Sequence, residues 1–185
     1  RLTRRVRSCG LAVFALDRDP RCADLDVLAD LRALPFATGA LGAVILADVL
    51  RHLDRDDRCR AAEQCERVVA DGGRVIVLED DPVGRDRAET NYRDVLALLA
   101  DVLPGRGAAR PIQRLTSELR RHFGDPVCHG GVDNETAVDD PLEPIRWLRS
   151  TTACDRTCRE RLDAIAESID RHGMSYGRYC FEVYG

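Results

Sequence analysis

Short apolar runs that end in an acid recur along the first half of the chain. Leu11 to Leu16, "LAVFAL", stops at Asp17; Ala43 to Ala47, "AVILA", stops at Asp48; and Arg74 to Glu79, "RVIVLE", carries its own terminal acid. Continuous runs without alternation are the pattern of strands buried on both faces, as in a parallel sheet covered by helices. Asp26 to Asp30 predicts a second, shorter strand. Between Asp56 and Ala70, the positions Cys59, Ala62, Cys65 or Glu66, and Val69 fall at helical spacing, with Asp56 or Asp57 to cap the start and Gly72-Gly73 to stop it. A buried strand, an amphipathic helix and another buried strand form a right-handed crossover, so the chain reads as α/β, with a mostly parallel sheet and helices on both faces.

The second half is less regular. Helices are expected around Tyr92 to Leu103, around Thr116 to Phe123 and from Asp155 to Arg171, with a polar stretch from Gly130 to Asp140 between them. The last helix places Cys158, Leu162, Ile165, Ala166 and Ile169 on one face, a stripe that reads as core-facing. The closing "RYCFEVY" alternates as a strand does. There is no repeat, low-complexity tract or linker, so residues 1–185 read as one domain.

Composition narrows the class. The chain has 185 residues, 44% of them hydrophobic and 32% charged, which suits a globular domain, and no run approaches the length of a membrane helix. The basic opening before Leu11 has too short an apolar stretch for a signal peptide. A net charge of −4, with arginines scattered among aspartates, argues against a nucleic-acid partner. Eight cysteines at 9, 22, 59, 65, 128, 154, 158 and 180 include no CxxC pair. Cys128-His129 with Cys154 and Cys158 is the one combination to weigh as a split metal site; without ligand spacing it reads as structural, and no metal is expected. Reduced thiols and the lack of a secretion signal point to the cytoplasm.

In an open sheet of this kind, a ligand sits beyond the carboxyl ends of the strands. Three acids occupy that place: Asp17, Asp30 and Asp48. A carboxylate offers two oxygens to the paired hydroxyls of an adenosine ribose, which suits Asp17. Asp30 suits the exocyclic amine of adenine, with Leu34, Pro35 and Phe36 as a face for the purine.

Taken in order, "VFALDRDP", "DVLADLRALPFATGALGAVILADVLRHL" and "AAEQCERVVADGGRVIVLE" resemble the class I S-adenosylmethionine-dependent methyltransferases, in particular the small-molecule branch that includes quinone-biosynthesis enzymes. The resemblance covers about Arg4 to Glu79. It implies a Rossmann-like methyltransferase fold with an antiparallel C-terminal strand, S-adenosyl-L-methionine as cofactor and a small-molecule acceptor. It further implies cofactor contacts at Asp17, Arg18, Asp30, Leu31, Ala47 and Asp48, with Asp48 and His52 as candidates for a base. Residues 1–80 would form the cofactor half and residues 81–185 the substrate or lid half, where Tyr92, His129, Trp147 and Tyr176 are candidates to touch the acceptor.

The departures are specific. Leu41-Gly42 stands where the family usually has Phe-Asp, and Arg51 replaces the common Glu. Gly10 is the only glycine before Asp17, so the family's first strand and glycine-rich loop do not precede the ribose acid. That strand is central in the family's sheet, so its absence leaves two unpaired edges facing a gap. The closing strand is not expected to fill the gap, since in the family it pairs antiparallel at the far side. The simplest expectation is a chain that has lost its beginning, the alternative a decayed or repurposed domain. Two rival functions follow: a catalytically silent binding or assembly module, motivated by the missing loop, and a nucleotide-dependent oxidoreductase, motivated by Asp17 and disfavoured by "DLRALPF".

Overall fold

A computed structural model describes residues 2–22, 24–80, 84–102, 112–132, 138–150, 155–176 and 179–185. In chain order the elements are α1 (Leu2–Ser8), β1 (Leu16–Asp17), β2 (Val27–Leu28), β3 (Leu41–Ala47), a tight helical turn (Leu50–His52), α2 (Arg55–Val68), β4 (Val69–Asp80), α3 (Arg87–Val102), α4 (Ile112–Phe123), β5 (Cys128–Val132), α5 (Glu143–Ser150), α6 (Arg156–His172) and β6 (Tyr179–Tyr184).

Two sheets result. β1 pairs with β2 in parallel, and a separate four-stranded sheet has the order β3-β4-β6-β5. Within it β3 and β4 are parallel, whereas β6 runs antiparallel to both β4 and β5. The sheet is therefore mixed, and the antiparallel C-terminal strand sits where expected, on the side of β4 away from β3. Among the described residues no ladder joins β1 to β3, which is the gap expected from the resemblance.

The gap explains the chief correction to the sequence reading. Leu11 to Leu16 does not form a buried strand; only Leu16–Asp17 pairs, and Leu11 and Phe14 are each 60% exposed. A run buried on both faces needs neighbours on both edges, and β1 has only the two residues of β2. Among its described residues the crossover between these parallel strands also carries no helix, although parallel pairs usually need one.

α2 differs from expectation in detail. Asp54, not Asp56 or Asp57, is the cap, its side chain accepting from the Asp57 backbone N–H at 2.8 Å. Its buried stripe is Arg58, Ala61, Ala62, Cys65 and Val68, while Glu66 is exposed. The helix passes directly into β4 at Val69, so Gly72-Gly73 lies inside the strand and does not stop the helix. α4 begins at Ile112, before the expected Thr116, and β5 was not expected, its Gly130-Gly131 pair hiding a strand pattern.

Burial organises the molecule into two cores. Leu46, Leu50, Ala62, Cys65, Val75, Val77, Leu119 and Tyr184 join α2, α4 and the four-stranded sheet. Val95, Leu98, Ile145, Leu148, Leu162 and Ile169 join α3, α5 and α6, and the expected stripe on α6 faces this core. Asp155 caps α6 by accepting from Cys158 N–H at 2.8 Å.

Gly130 stands opposite Phe181 in the β5–β6 ladder, and a Cβ there would lie 2.9 Å from the ring. Gly130→Val is therefore expected to lower stability by about 1–3 kcal/mol through overpacking. A thermal melt unchanged from that of the parent chain would show that this close approach is not a constraint.

Candidate functional site

The acids at the strand ends come to one side of the molecule. β1 and β2 are parallel, so Asp17 and the segment beginning at Ala29 leave the same end of their sheet. Arg32 links Asp30 to Asp57 in the first turn of α2, at 2.8 Å from the latter. That turn follows Asp48 at the carboxyl end of β3. The segment after Arg32 runs back alongside α2, where Arg67 donates to the carbonyls of Leu34 and Phe36 at 2.8 and 2.7 Å, before entering β3 at Leu41.

Asp17 ends β1 half-buried. Its carboxylate accepts from the Asp19 backbone N–H at 2.9 Å and lies within electrostatic reach of the Cys22 thiol, and none of the described arginines pairs with it. Arg18 beside it is exposed, and its charge reaches Asp30. Asp30 is engaged differently: Arg32 donates to Oδ1 at 2.8 Å and to Oδ2 at 2.5 Å, and the Arg32 backbone N–H adds a third bond at 2.9 Å. These hydrogen bonds hold the Asp30 carboxyl down to about 2. Both of its oxygens already carry a partner, so an adenine amine would compete with Arg32. Leu31 packs against the core between α2 and the sheet.

The densest electrostatics lie at the ends of β3 and β4. Asp48 adopts φ +54°, a left-handed backbone that aspartate tolerates better than most residues, while its N–H donates to Leu78 O at 2.9 Å. This corner directs the chain into the tight turn, where Arg51 meets three carboxylates. Arg51 lies 2.6 Å from Asp48, 2.6 Å from Asp80 and 3.8 Å from Glu79. Glu79 is only 2% exposed, and its Oε1 accepts from the Leu50 backbone N–H at 2.8 Å. Burial pushes the Glu79 carboxyl up to about 7, partly opposed by Arg51. Burial raises Asp48 too, against the pull of Arg51 and a hydrogen bond from the Tyr179 hydroxyl.

Of the sequence candidates, Asp48 belongs to this cluster and Ala47 ends the strand leading to it, exposed. His52 lies exposed at the end of the turn, and it is its neighbour Arg51 that enters the carboxylates. Sequence reasoning did not select Arg51, Glu79, Asp80 or Tyr179. The available signals were the substitution at Arg51 and the acidic run "EDD" that begins at Glu79 in β4, neither of which shows that one guanidinium gathers both strand ends. Tyr92 and Tyr176 stack edge to face with centroids 5.0 Å apart, and Tyr92 lies within electrostatic reach of Asp80, Arg51 and Tyr179. His129 lies on β5, and Trp147 is exposed on α5. Cys158 is buried in the α6 core, and Cys154 and the "PGRG" of 104–107 lie outside the described residues. No group of three or more His, Cys, Asp or Glu with metal-holding geometry occurs among the described residues.

With this geometry in hand, comparison with known proteins is informative. Residues 2–77 match a family model described as a methyltransferase domain. The fold is that of the class I methyltransferases. A SAM-dependent methyltransferase from Archaeoglobus fulgidus superposes with a TM-score of 0.59 at 11% identity, over 100% of this chain and 80% of that one. A cyclopropane-fatty-acyl-phospholipid synthase-like protein from Lactobacillus casei gives 0.60 at 14% identity, over 86% and 61% of the respective chains. The cyclase SpnF gives 0.51 at 15% identity, over 98% and 59%. Comparison with curated protein sequences finds no match. The methyltransferase match spans β1 to β4, so it contains Asp17, Asp30, Asp48 and Arg51 and stops just before Glu79. No helix among the described residues is long and apolar enough to cross a membrane.

Proposed function

We propose that this chain binds S-adenosylmethionine and transfers its methyl group to a small-molecule acceptor in the cytoplasm. In this reading residues 1–80 serve the cofactor and residues 81–185 the acceptor, as in the small-molecule branch that its motifs resemble. The observation that carries the reading is the convergence of Asp17, Asp30 and the Asp48 corner on one side of a chain whose residues 2–77 match a methyltransferase domain.

The residues fit the cofactor unevenly. Asp17 is accessible for a ribose diol, Arg18 flanks it, and Leu31 offers a backbone group beside Asp30. Asp30 itself must first give up Arg32. Ala47 and Asp48 stand where the methionine end would lie. When bound, the cofactor supplies a methyl already activated on sulfur. The protein's part is to align the acceptor, exclude water and remove a proton where the acceptor has one. Asp48 is the better candidate base, because its half-buried carboxylate lies within the cluster and burial raises its proton affinity. His52 is the weaker one.

Calorimetric titration with S-adenosylhomocysteine tests this reading. Binding is expected, and Asp17→Ala is expected to weaken it by about ten-fold or more, the worth of hydrogen bonds to a charged group. Binding that is unaffected by the substitution would remove Asp17 from the site. A folded chain that binds no S-adenosylhomocysteine would favour the catalytically silent module. SpnF, a cyclase by name, also illustrates that a shared fold leaves the chemistry open.

A further inference from the structure

Among the described residues the cluster at the ends of β3 and β4 holds more carboxyl groups than cations. Three carboxylates from β3 and β4 face one guanidinium. Three buried oxygens, Oδ1 of Asp48, Oε2 of Glu79 and Oδ1 of Asp80, receive no hydrogen bond from the described residues, although the first is ion-paired with Arg51 at 2.6 Å. Buried carboxylates are normally paired and hydrogen-bonded on their remaining lone pairs. Glu79 is 2% exposed, whereas the side chains of Asp80 and Asp48 are 11% and 35% exposed and so open toward solvent.

A second feature points the same way. Tyr179 lies directly across the β4–β6 ladder from Asp80 and within electrostatic reach of Asp48. Tyr92 lies within electrostatic reach of Asp80 and Arg51, and its ring meets that of Tyr176 edge to face. Aromatic faces next to unbalanced carboxylates are the chemistry that recognises an organic cation, because ring quadrupole and carboxylate attract the same charge. A neutral or anionic ligand would gain from neither.

We propose that the acceptor presents an amine to this cluster, held as an ammonium between Asp48 and Asp80 with the Tyr92–Tyr176 pair against its carbon skeleton. This inference rests on the methyl-transfer reading for the word acceptor, although the cation site stands on its own geometry. Before transfer, one N–H proton passes to the Asp48 carboxylate, leaving nitrogen with its lone pair. The methylated product is again an ammonium, and the same carboxylates hold it.

Benzylammonium and benzyl alcohol, matched in shape and different in charge, are suitable probes. Titrated into the 185-residue chain at neutral pH, benzylammonium is expected to bind roughly ten-fold or more tightly than benzyl alcohol. Asp80→Asn should abolish the preference, and Tyr92→Leu should reduce benzylammonium binding several-fold if the first variant unfolds. Equal binding of the two probes, or binding of neither, overturns the proposal. So does a cluster that serves the cofactor's own charge: S-adenosylmethionine would then bind at least about ten-fold more tightly than S-adenosylhomocysteine, through Asp80, while benzylammonium did not bind. Amine binding without S-adenosylhomocysteine binding would retain the cation site and reject the methyltransferase reading.

Discussion

Replacing Arg58 by Ala is expected to lower the unfolding free energy by about 3–5 kcal/mol, the usual cost of removing one member of a buried ion pair. Arg58 is 3% exposed on α2, where it pairs with Glu118 on α4 through two nitrogens and donates to the Leu53 carbonyl. It is the polar pin between the two helices that cover the four-stranded sheet, flanked by Ala62, Cys65 and Leu119. Its removal leaves the Glu118 carboxylate, with a side chain 13% exposed, beside apolar surface, and leaves the Leu53 carbonyl without that donor. Removing both charges at once should cost far less, since neither is then left uncompensated. A urea-denaturation cycle over Arg58→Met, Glu118→Leu and the double substitution measures this. Strictly additive effects would refute the coupling.

The second large effect depends on pH. Glu79→Gln keeps an oxygen for the Leu50 N–H but removes a carboxylate that burial pushes up to about 7. An unfolded glutamate titrates near about 4.3, so between these values the folded chain holds a proton that the unfolded chain does not. The corresponding stability is complete below the lower value and is lost as pH rises through the upper one. At about pH 4 the two proteins should therefore be similar. At about pH 8 the parent carries a buried charge, and the variant should be more stable by about 2–4 kcal/mol. Denaturation midpoints across that range decide the matter, and a pH-independent difference would sink the assignment. A charge retained at a cost to stability is common where function needs it, which is consistent with the cation site inferred above.

Much of the front half was legible because local pattern sets it. Apolar runs ending in acids marked β3 and β4, the helical stripe marked α2, and Asp17, Asp30 and Asp48 were recognisable as strand-end acids before any coordinates. The C-terminal run "RYCFEVY" became the antiparallel strand expected, since alternation and aromatic residues specify a strand whatever its neighbour. The stripe of Cys158, Leu162, Ile165 and Ile169 likewise found the core that its spacing implied.

What tertiary structure alone decided is the company those residues keep. "LAVFAL" has the composition of a buried strand, yet burial depends on a neighbour along its open edge, and the described chain supplies none. Asp30 reads as a free acid until Arg32 closes on it and continues to Asp57, 25 positions away. Arg51 reads as a substitution in a helical turn until β4 brings Glu79 and Asp80 to it across 28 and 29 positions. Hydrophobic period fixes which way a side chain faces within its own element. Which charges then share a buried space follows from the pairing of distant strands, and that is set by the fold as a whole.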